Sequence, residues 1–158
     1  MDFASTLVSG IIGGLLGAGA KETVSYFFKE ISRRHAELDA IEELLLSTII
    51  EVRDLAIEHW NEGADAAGSD TRAAKIVGRI HYCAKLYPEL FSSNLHEKQQ
   101  TDVVFQRFRM TITGGQFGEK SRKAQPEKAP EIEISTYELK SQIKLGKIRS
   151  RKGVLPRR

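Results

Sequence analysis

The sequence predicts an all-α protein that has an N-terminal glycine-rich transmembrane helix, a small cytoplasmic helical bundle and a basic C-terminal tail. The aromatic content of 8% and the many Ala, Glu, Leu, Lys and Arg residues favour helices over strands. Residues 3–20 contain no charged side chain. Residues 138–158 contain eight basic residues and one acidic residue, which gives this segment +7 in a chain whose net charge is +3.

The length of 158 residues leaves room for one compact domain with appendages. A single cysteine, Cys83, excludes an internal disulfide and fits a reducing compartment. The start of the chain, Met1 and Asp2, lacks the positive region of a cleavable signal peptide, so we expect the apolar segment to stay attached. The expected regions are a membrane helix at 1–28, a helical bundle at 29–117, a linker at 118–135, and a basic helix and tail at 136–158.

The first region is marginally long enough to cross a bilayer. As a helix, residues 3–20 would span roughly 27 Å, slightly less than a hydrocarbon core of about 30 Å. The aromatic residues at 26–28 suit the membrane–water interface, and Lys29, Arg33 and Arg34 follow them. Because basic residues flank the cytoplasmic side, the N-terminus is expected outside and the bulk of the chain in the cytoplasm.

Small residues recur every four positions in this helix. Glycine lowers helix propensity, and in a membrane it is favoured where helix backbones approach closely. We therefore expect the helix to pack against copies of itself, with a small-residue face that lines a narrow pore. The alternative is a glycine-rich helix buried in a soluble assembly. The candidate pore and packing residues are Ser9, Gly10, Gly13, Gly14 and Gly17.

Three amphipathic helices are predicted in the bundle. The first runs from about 29 to 61, where apolar residues from Ile31 to Ile57 recur mostly three, four or seven apart. The second begins at a cap on Ser69 or Asp70 and ends near residue 87. The third covers about 95–112 and begins with a capping box of Asn94 and Glu97. Expected inward residues include Ile76, Val77, Ile80, Cys83, Val103, Phe105, Phe108 and Ile112.

A short basic helix is predicted at about 136–147, after a linker that contains Pro126 and Pro130. Ser135 and Glu138 form a plausible capping box for it. Its apolar residues, which can dock on the body or on a partner chain, are Leu139, Ile143 and Leu145.

Basic side chains in the last region are candidates for binding an anionic ligand. They can neutralise the phosphates of an oligonucleotide or of anionic lipid, and the tail has no aromatic residue on which bases would stack. A terminus that is merely solubilising is the alternative. The candidate residues are Lys140, Lys144, Lys147, Arg149, Arg151 and Lys152.

Catalytic motifs are absent from the sequence. The four histidines are scattered and lack metal-binding spacing, and Cys83 lies on an apolar helix face. Lys21 lacks the preceding glycine and following Ser or Thr of a phosphate-binding loop. We therefore expect no enzyme activity, no catalytic residue, no metal, no cofactor and no small-molecule substrate.

Two short stretches carry a resemblance to known proteins. The stretch Leu-Tyr-Pro-Glu-Leu-Phe at 86–91, and Ile-Thr-Gly-Gly-Gln-Phe at 112–117, resemble segments of small bacterial single-span membrane proteins, several of them effectors of anti-phage defence. In size and layout the chain is similar to the channel effectors of the Hailong defence system. That resemblance implies an oligomeric channel in the bacterial inner membrane, held shut by a DNA oligomer.

Two functions follow as hypotheses. The first is a homo-oligomeric membrane effector that forms a pore or ion channel, depolarises the membrane and is gated at its basic region by an anionic ligand such as an oligonucleotide. Its partners would be other copies of itself and the lipid bilayer. The second is a soluble or peripheral helical interaction module whose basic tail binds nucleic acid.

Overall fold

The computed structural model describes the backbone of residues 3–152 and, within that range, the side chains of residues 25, 26 and 28–151. The described residues contain helices and no strand, which confirms the all-α prediction. The helices are α1 (Phe3–Asn61), α2 (Ser69–Leu90), α3 (Leu95–Thr113) and α4 (Ala129–Lys152), with a 3₁₀ turn at Pro126–Lys128. The chain divides into two compact units, Met1–Asp39 and Ala40–Arg158.

The first unit consists of the N-terminal part of α1. We expected a membrane helix and a bundle helix to meet near residue 28, but both lie within one continuous helix. No Gly or Pro occurs between Lys21 and Asn61 to end it. Among the described residues, no helix has an apolar stretch long enough for a membrane crossing. The side chains of residues 3–24, on which the transmembrane prediction rests, lie outside the described set.

The second unit has its core where the apolar faces of α1, α2, α3 and α4 meet. Each helix contributes buried side chains three or four residues apart, the spacing of one helix face. The fully buried apolar positions are Leu45, Ile49, Val52, Ala56 and Trp60 of α1, Ile76 and Cys83 of α2, Phe108 and Ile112 of α3, and Ile132, Leu139 and Ile143 of α4.

Two of the residues predicted to point inward are on the surface, Val77 at 53% exposed and Val103 at 63%. Leu145, which was predicted to dock on the body or on a partner chain, is 49% exposed. On α2 the buried face is set by Ile76, Ile80 and Cys83, and Val77 projects about 100° away from Ile76. The apolar residue beside a core position is thus on the surface because the helix rotates by that angle at each step.

The predicted N-terminal cap was right for α3 and wrong for α2. Asn94 caps α3, since its side-chain oxygen accepts a hydrogen bond from the amide of Glu97 at 3.2 Å. At α2 the capping position is Gly68, with φ of 82° and no side-chain cap, and the Ser69 hydroxyl instead accepts from Arg122. A left-handed φ suits glycine there.

The last helix is longer than predicted at both ends. It begins at Ala129, so residues 129–135 are helical rather than linker, and it continues to Lys152 rather than ending near 147. Pro130 does not prevent this, because a proline in the first helical turn removes no intrahelical hydrogen bond. Ser135 is therefore interior rather than capping, and its hydroxyl donates to the Ile132 carbonyl at 3.1 Å.

Candidate functional site

The helix α4 is held on one side by ion pairs to α1. Glu133 lies 3.7 Å from Arg53, and the Lys147 ammonium pairs with the Glu42 carboxylate. Because Lys147 is near the end of α4 and Glu42 precedes Arg53, the two helices run antiparallel. The Lys147 side chain is only 6% exposed, so it lies between the helices and not on the outer surface.

The other side of α4 is held by polar contacts to α3. Glu138 accepts a hydrogen bond from Arg107 at 3.3 Å. At the far end the Glu97 carboxylate lies 3.5 Å from both Arg149 and the Gln142 amide. The Glu97 side chain is 5% exposed, so this is a buried carboxylate balanced by a half-exposed guanidinium. In the sequence Glu97 looked only like the second half of a capping box.

Between these two sides α4 presents an apolar strip, called here the α4 stripe: Ile134, Tyr137, Ser141, Leu145 and Ile148. Ile134 is 61% exposed, Tyr137 74%, Leu145 49% and Ile148 50%. At about 100° per residue the five positions fall within an arc of about 80°. Contiguous exposed apolar side chains of this size mark interaction surfaces in soluble proteins. Of the three docking residues predicted from the sequence, Leu139 and Ile143 are buried in the core and only Leu145 belongs to the α4 stripe.

Neighbouring α3 residues widen this surface. Val103 is 63% exposed and Met110 is 64% exposed. They precede and follow Arg107 on α3, and the Arg107–Glu138 pair lies against α4. The apolar surface therefore extends across the contact between the two helices, with one ion pair inside it.

The predicted anionic-ligand residues are divided among several environments. Lys144 is exposed and Lys140 half-buried, and neither has an ion pair within the described part of the chain. Lys147 pairs with Glu42 and Arg149 with Glu97. Arg151 is exposed, and the side chain of Lys152 lies outside the described set. Lys140 and Lys144 are one helical turn apart and form the part of the predicted site that points outward beside the α4 stripe.

The predicted pore and packing residues all belong to α1. Ser9, Gly10, Gly13, Gly14 and Gly17 lie in its first 15 residues, and their side chains are outside the described set. All five predicted residues therefore lie on the same helix.

The connection between α3 and α4 is fixed by a buried polar cluster around Trp60. The indole nitrogen of Trp60 donates to the Ile112 carbonyl at 2.9 Å. Arg122, 3% exposed, donates to the carbonyls of His59 at 2.7 Å and Glu62 at 2.6 Å. Its guanidinium also lies 5.3 Å from the Trp60 ring centre. This cluster ties the loop to the end of α1.

His59 belongs to the same cluster. The ring is 1% exposed, and its Nε2 lies 3.2 Å from the Phe117 carbonyl. Burial lowers the pKa of His59 below its ordinary value of 6.5, and the nearby Arg122 and Arg72 guanidinium groups lower it further. The ring is therefore held neutral, which suits a structural role.

The remaining candidate groups do not converge. His35, His81 and His96 are exposed on three different helices, and no cluster of metal-binding side chains occurs among the described residues. Cys83 is fully buried, and burial raises the pKa of its thiol to about 12, which leaves it unreactive. A surface depression at the C-terminal end of α1 is lined by Asp54, Ile57, Glu58, Asn61 and Glu62, and its carboxylates would repel an anionic ligand.

Comparison with protein-family models, with curated proteins and with solved structures finds no match to this chain.

Proposed function

We propose that this chain is a homo-oligomeric membrane effector in which residues 1–28 insert into the bacterial inner membrane. The observation that carries the proposal is the exposure of two aromatic side chains on α1, Tyr26 at 73% and Phe28 at 64%. Arg33 follows within two turns and lies on the helix surface beside Glu30 and Glu37. Aromatic residues that precede basic ones are typical of the cytoplasmic membrane–water boundary.

The proposed activity is ion conduction. Small residues at Ser9, Gly13 and Gly17 favour close packing between copies of the helix, and a ring of such helices encloses a narrow path. The resemblance to channel effectors of the Hailong system supports this function and a role in anti-phage defence through membrane depolarisation. Gating would occur at the outward basic residues, Lys140 and Lys144, through an anionic ligand such as an oligonucleotide.

The test is ion flux through liposomes that contain the full-length chain. Wild type should permeabilise vesicles, and Gly13→Leu/Gly17→Leu should abolish the flux because leucines prevent close packing. Leu16→Ile keeps the side-chain volume and should conduct normally. Equally poor permeabilisation by wild type and by the glycine variant would sink the channel proposal.

A second candidate is a soluble or peripheral helical module that binds nucleic acid. It is favoured by Lys140 and Lys144, which have no ion pair in the described part of the chain. Fractionation after expression separates the two, because recovery in the soluble fraction without detergent supports the module. Lys140→Glu/Lys144→Glu should then weaken binding of a labelled oligonucleotide in low salt. This substitution leaves intact the Lys147–Glu42 pair, which a truncation at residue 147 would remove.

A further inference from the structure

The α4 stripe is symmetric about its central residue. Ile134 and Ile148 each lie seven positions from Ser141, and Tyr137 and Leu145 each lie four positions from it. If a second α4 packs antiparallel against the first, Ile134 comes level with Ile148 of the second copy, and Tyr137 comes level with Leu145. The residue at the crossing point is a serine, small enough for the two helices to approach closely. A self-complementary surface of this kind is what a two-fold interface requires.

The charges of α4 are divided in the same way. The part before Ser141 contains the acids Glu131, Glu133 and Glu138 with one base, Lys140, and the part after Ser141 contains only bases among its charged residues, Lys144, Lys147, Arg149, Arg151 and Lys152. Antiparallel pairing places each acidic half beside a basic half, whereas parallel pairing places like charges together. The charge pattern therefore selects the same direction as the apolar pattern.

Individual positions agree with this direction. On the side of α4 that faces α3, Arg149 lies within two positions of the level of Glu131 in the second copy, about 3 Å along the axis. On the side that faces α1, Arg151 has the same relation to Glu133 of the second copy. Arg149 and Glu133 also have partners within the chain, Glu97 and Arg53, so the pairing extends existing charge networks.

We infer that the α4 stripe is the interface between two copies of this chain, paired antiparallel about a two-fold axis at Ser141. Because α4 runs antiparallel to α1 between Glu42 and Arg53, this pairing also makes the α1 helices of the two copies run in opposite directions. The inference therefore rests on the second candidate function, the soluble or peripheral module, and identifies the surface through which two of its bodies associate. Val103 and Met110 of α3 border the stripe and become covered at its edge.

The pairing has a consequence for ligand binding. Lys140 and Lys144 lie on one side of the stripe, and in the pair they meet the same two lysines of the second copy. Four ammonium groups then fall within about two helical turns, and their repulsion weakens the pair. A phosphate-rich anion that binds there removes the repulsion, so it stabilises the paired state.

Disulfide cross-linking of the detergent-solubilised full-length chain tests the arrangement. Ser141→Cys should cross-link to its own copy on mild oxidation. Tyr137→Cys and Leu145→Cys should cross-link to each other when the two variants are mixed, and neither should cross-link when it is alone. Parallel pairing would instead cross-link each variant to its own copy. The wild type, with buried Cys83, and Val77→Cys on the exposed face of α2 should both remain uncrosslinked.

Disruption of the stripe separates this inference from the proposed function. Leu145→Asp/Ile148→Asp should raise the dissociation constant of the body pair about tenfold or more, as measured by light scattering across a concentration series. Val77→Asp should leave it unchanged. If wild type is oligomeric and the double variant associates equally well, the interface is elsewhere. If wild type is monomeric at every concentration, the pairing is wrong, whereas nucleic-acid binding by the module is decided separately by the oligonucleotide assay.

A separate experiment tests the effect of an anionic ligand on the pair. A short single-stranded oligodeoxynucleotide should tighten the wild-type pair more than sodium chloride does at equal ionic strength, and Lys140→Gln/Lys144→Gln should abolish the difference. Equal effects of the oligonucleotide on wild type and variant would overturn the anion site. The cross-linking result would still decide the pairing.

Discussion

Lys147 of α4 and Glu42 of α1 form an ion pair that closes the contact between the two helices. The lysine side chain is 6% exposed and the glutamate side chain 20%. A charge in such a place is stable only while its partner is present, because the protein interior solvates an isolated charge poorly. The pair therefore fixes how α4 lies against α1 more than it adds net stability.

Lys147→Met should destabilise the body, because it leaves the Glu42 carboxylate without its partner. The expected loss is near the lower end of about 3–5 kcal/mol, since water reaches part of Glu42. The double variant Lys147→Met/Glu42→Met should regain most of that loss. Urea unfolding followed by circular dichroism measures both. The control is Lys144→Met, at an exposed position that has no ion pair with any described residue. A double variant that is as unstable as the single one would contradict this account.

Arg122 should be as important to the loop between α3 and α4 as Lys147 is to the contact between α4 and α1. Arg122→Met removes the donors to the His59 and Glu62 carbonyls and the contact with Trp60. We expect a loss of about 2–4 kcal/mol and faster proteolysis within residues 118–125. The adjacent Lys123 is exposed, and Lys123→Met should change neither quantity. Proteolysis of Arg122→Met at the wild-type rate would show that other contacts hold the loop.

The helices were largely predictable from the sequence because apolar spacing alone determines which face is buried. Ile76, Ile80 and Phe108 were identified as inward residues from this spacing, and all three are buried. The start of α4 was not predictable in this way. Pro130 looks the same in a linker and in a first helical turn, and only the packing of Ile132 against the core distinguishes them.

The candidate site was less predictable than the fold. Lys147 and Lys144 look alike in the sequence, yet one is buried against a residue 105 positions away and the other is exposed. Tertiary contacts decide such cases, and no local pattern encodes them. The α4 stripe, in contrast, had a local signal in the three- and four-residue spacing from Ile134 to Ile148, which the assumed linker up to residue 135 concealed.

His59 should make the stability of the body depend on pH. Its pKa is lowered in the folded state, mainly by burial, so the unfolded chain takes up the proton more readily. The contribution of neutral His59 to the free energy of unfolding should be fully present above pH 6.5. It should be lost as the pH drops from 6.5 towards the lowered pKa of the folded state. Arg122 and Arg72 strengthen this dependence, whereas Glu62 and the hydrogen bond to the Phe117 carbonyl oppose it.

Thermal unfolding at a series of pH values checks this dependence. His59→Gln should flatten the loss of stability in that range, because the variant has no group there to protonate. His81→Gln removes an exposed histidine of α2 and should leave the wild-type slope unchanged. The explanation would be wrong if both variants kept the same slope as wild type.

Gly146 and Gly78 are both helical glycines, yet substitution by alanine should act on them in opposite directions. A Cβ at Gly146 would lie 3.0 Å from Phe91 Cε1 and 3.2 Å from Glu97 Oε2. Phe91 is 1% exposed and Glu97 is 4% exposed, so neither side chain has room to move away. The overpacking cost of about 1–3 kcal/mol should exceed the gain in helix propensity of about 1 kcal/mol.

At Gly78 a Cβ would meet nothing within 4 Å. Gly78→Ala should therefore stabilise the body by about 0.5–1 kcal/mol through helix propensity alone. Urea unfolding of the two variants side by side separates packing from propensity, because the backbone change is the same in both. Equal stabilisation by both substitutions would mean that α4 moves away from Phe91 at little cost, and that its contact with α3 is looser than the distances around Gly146 indicate.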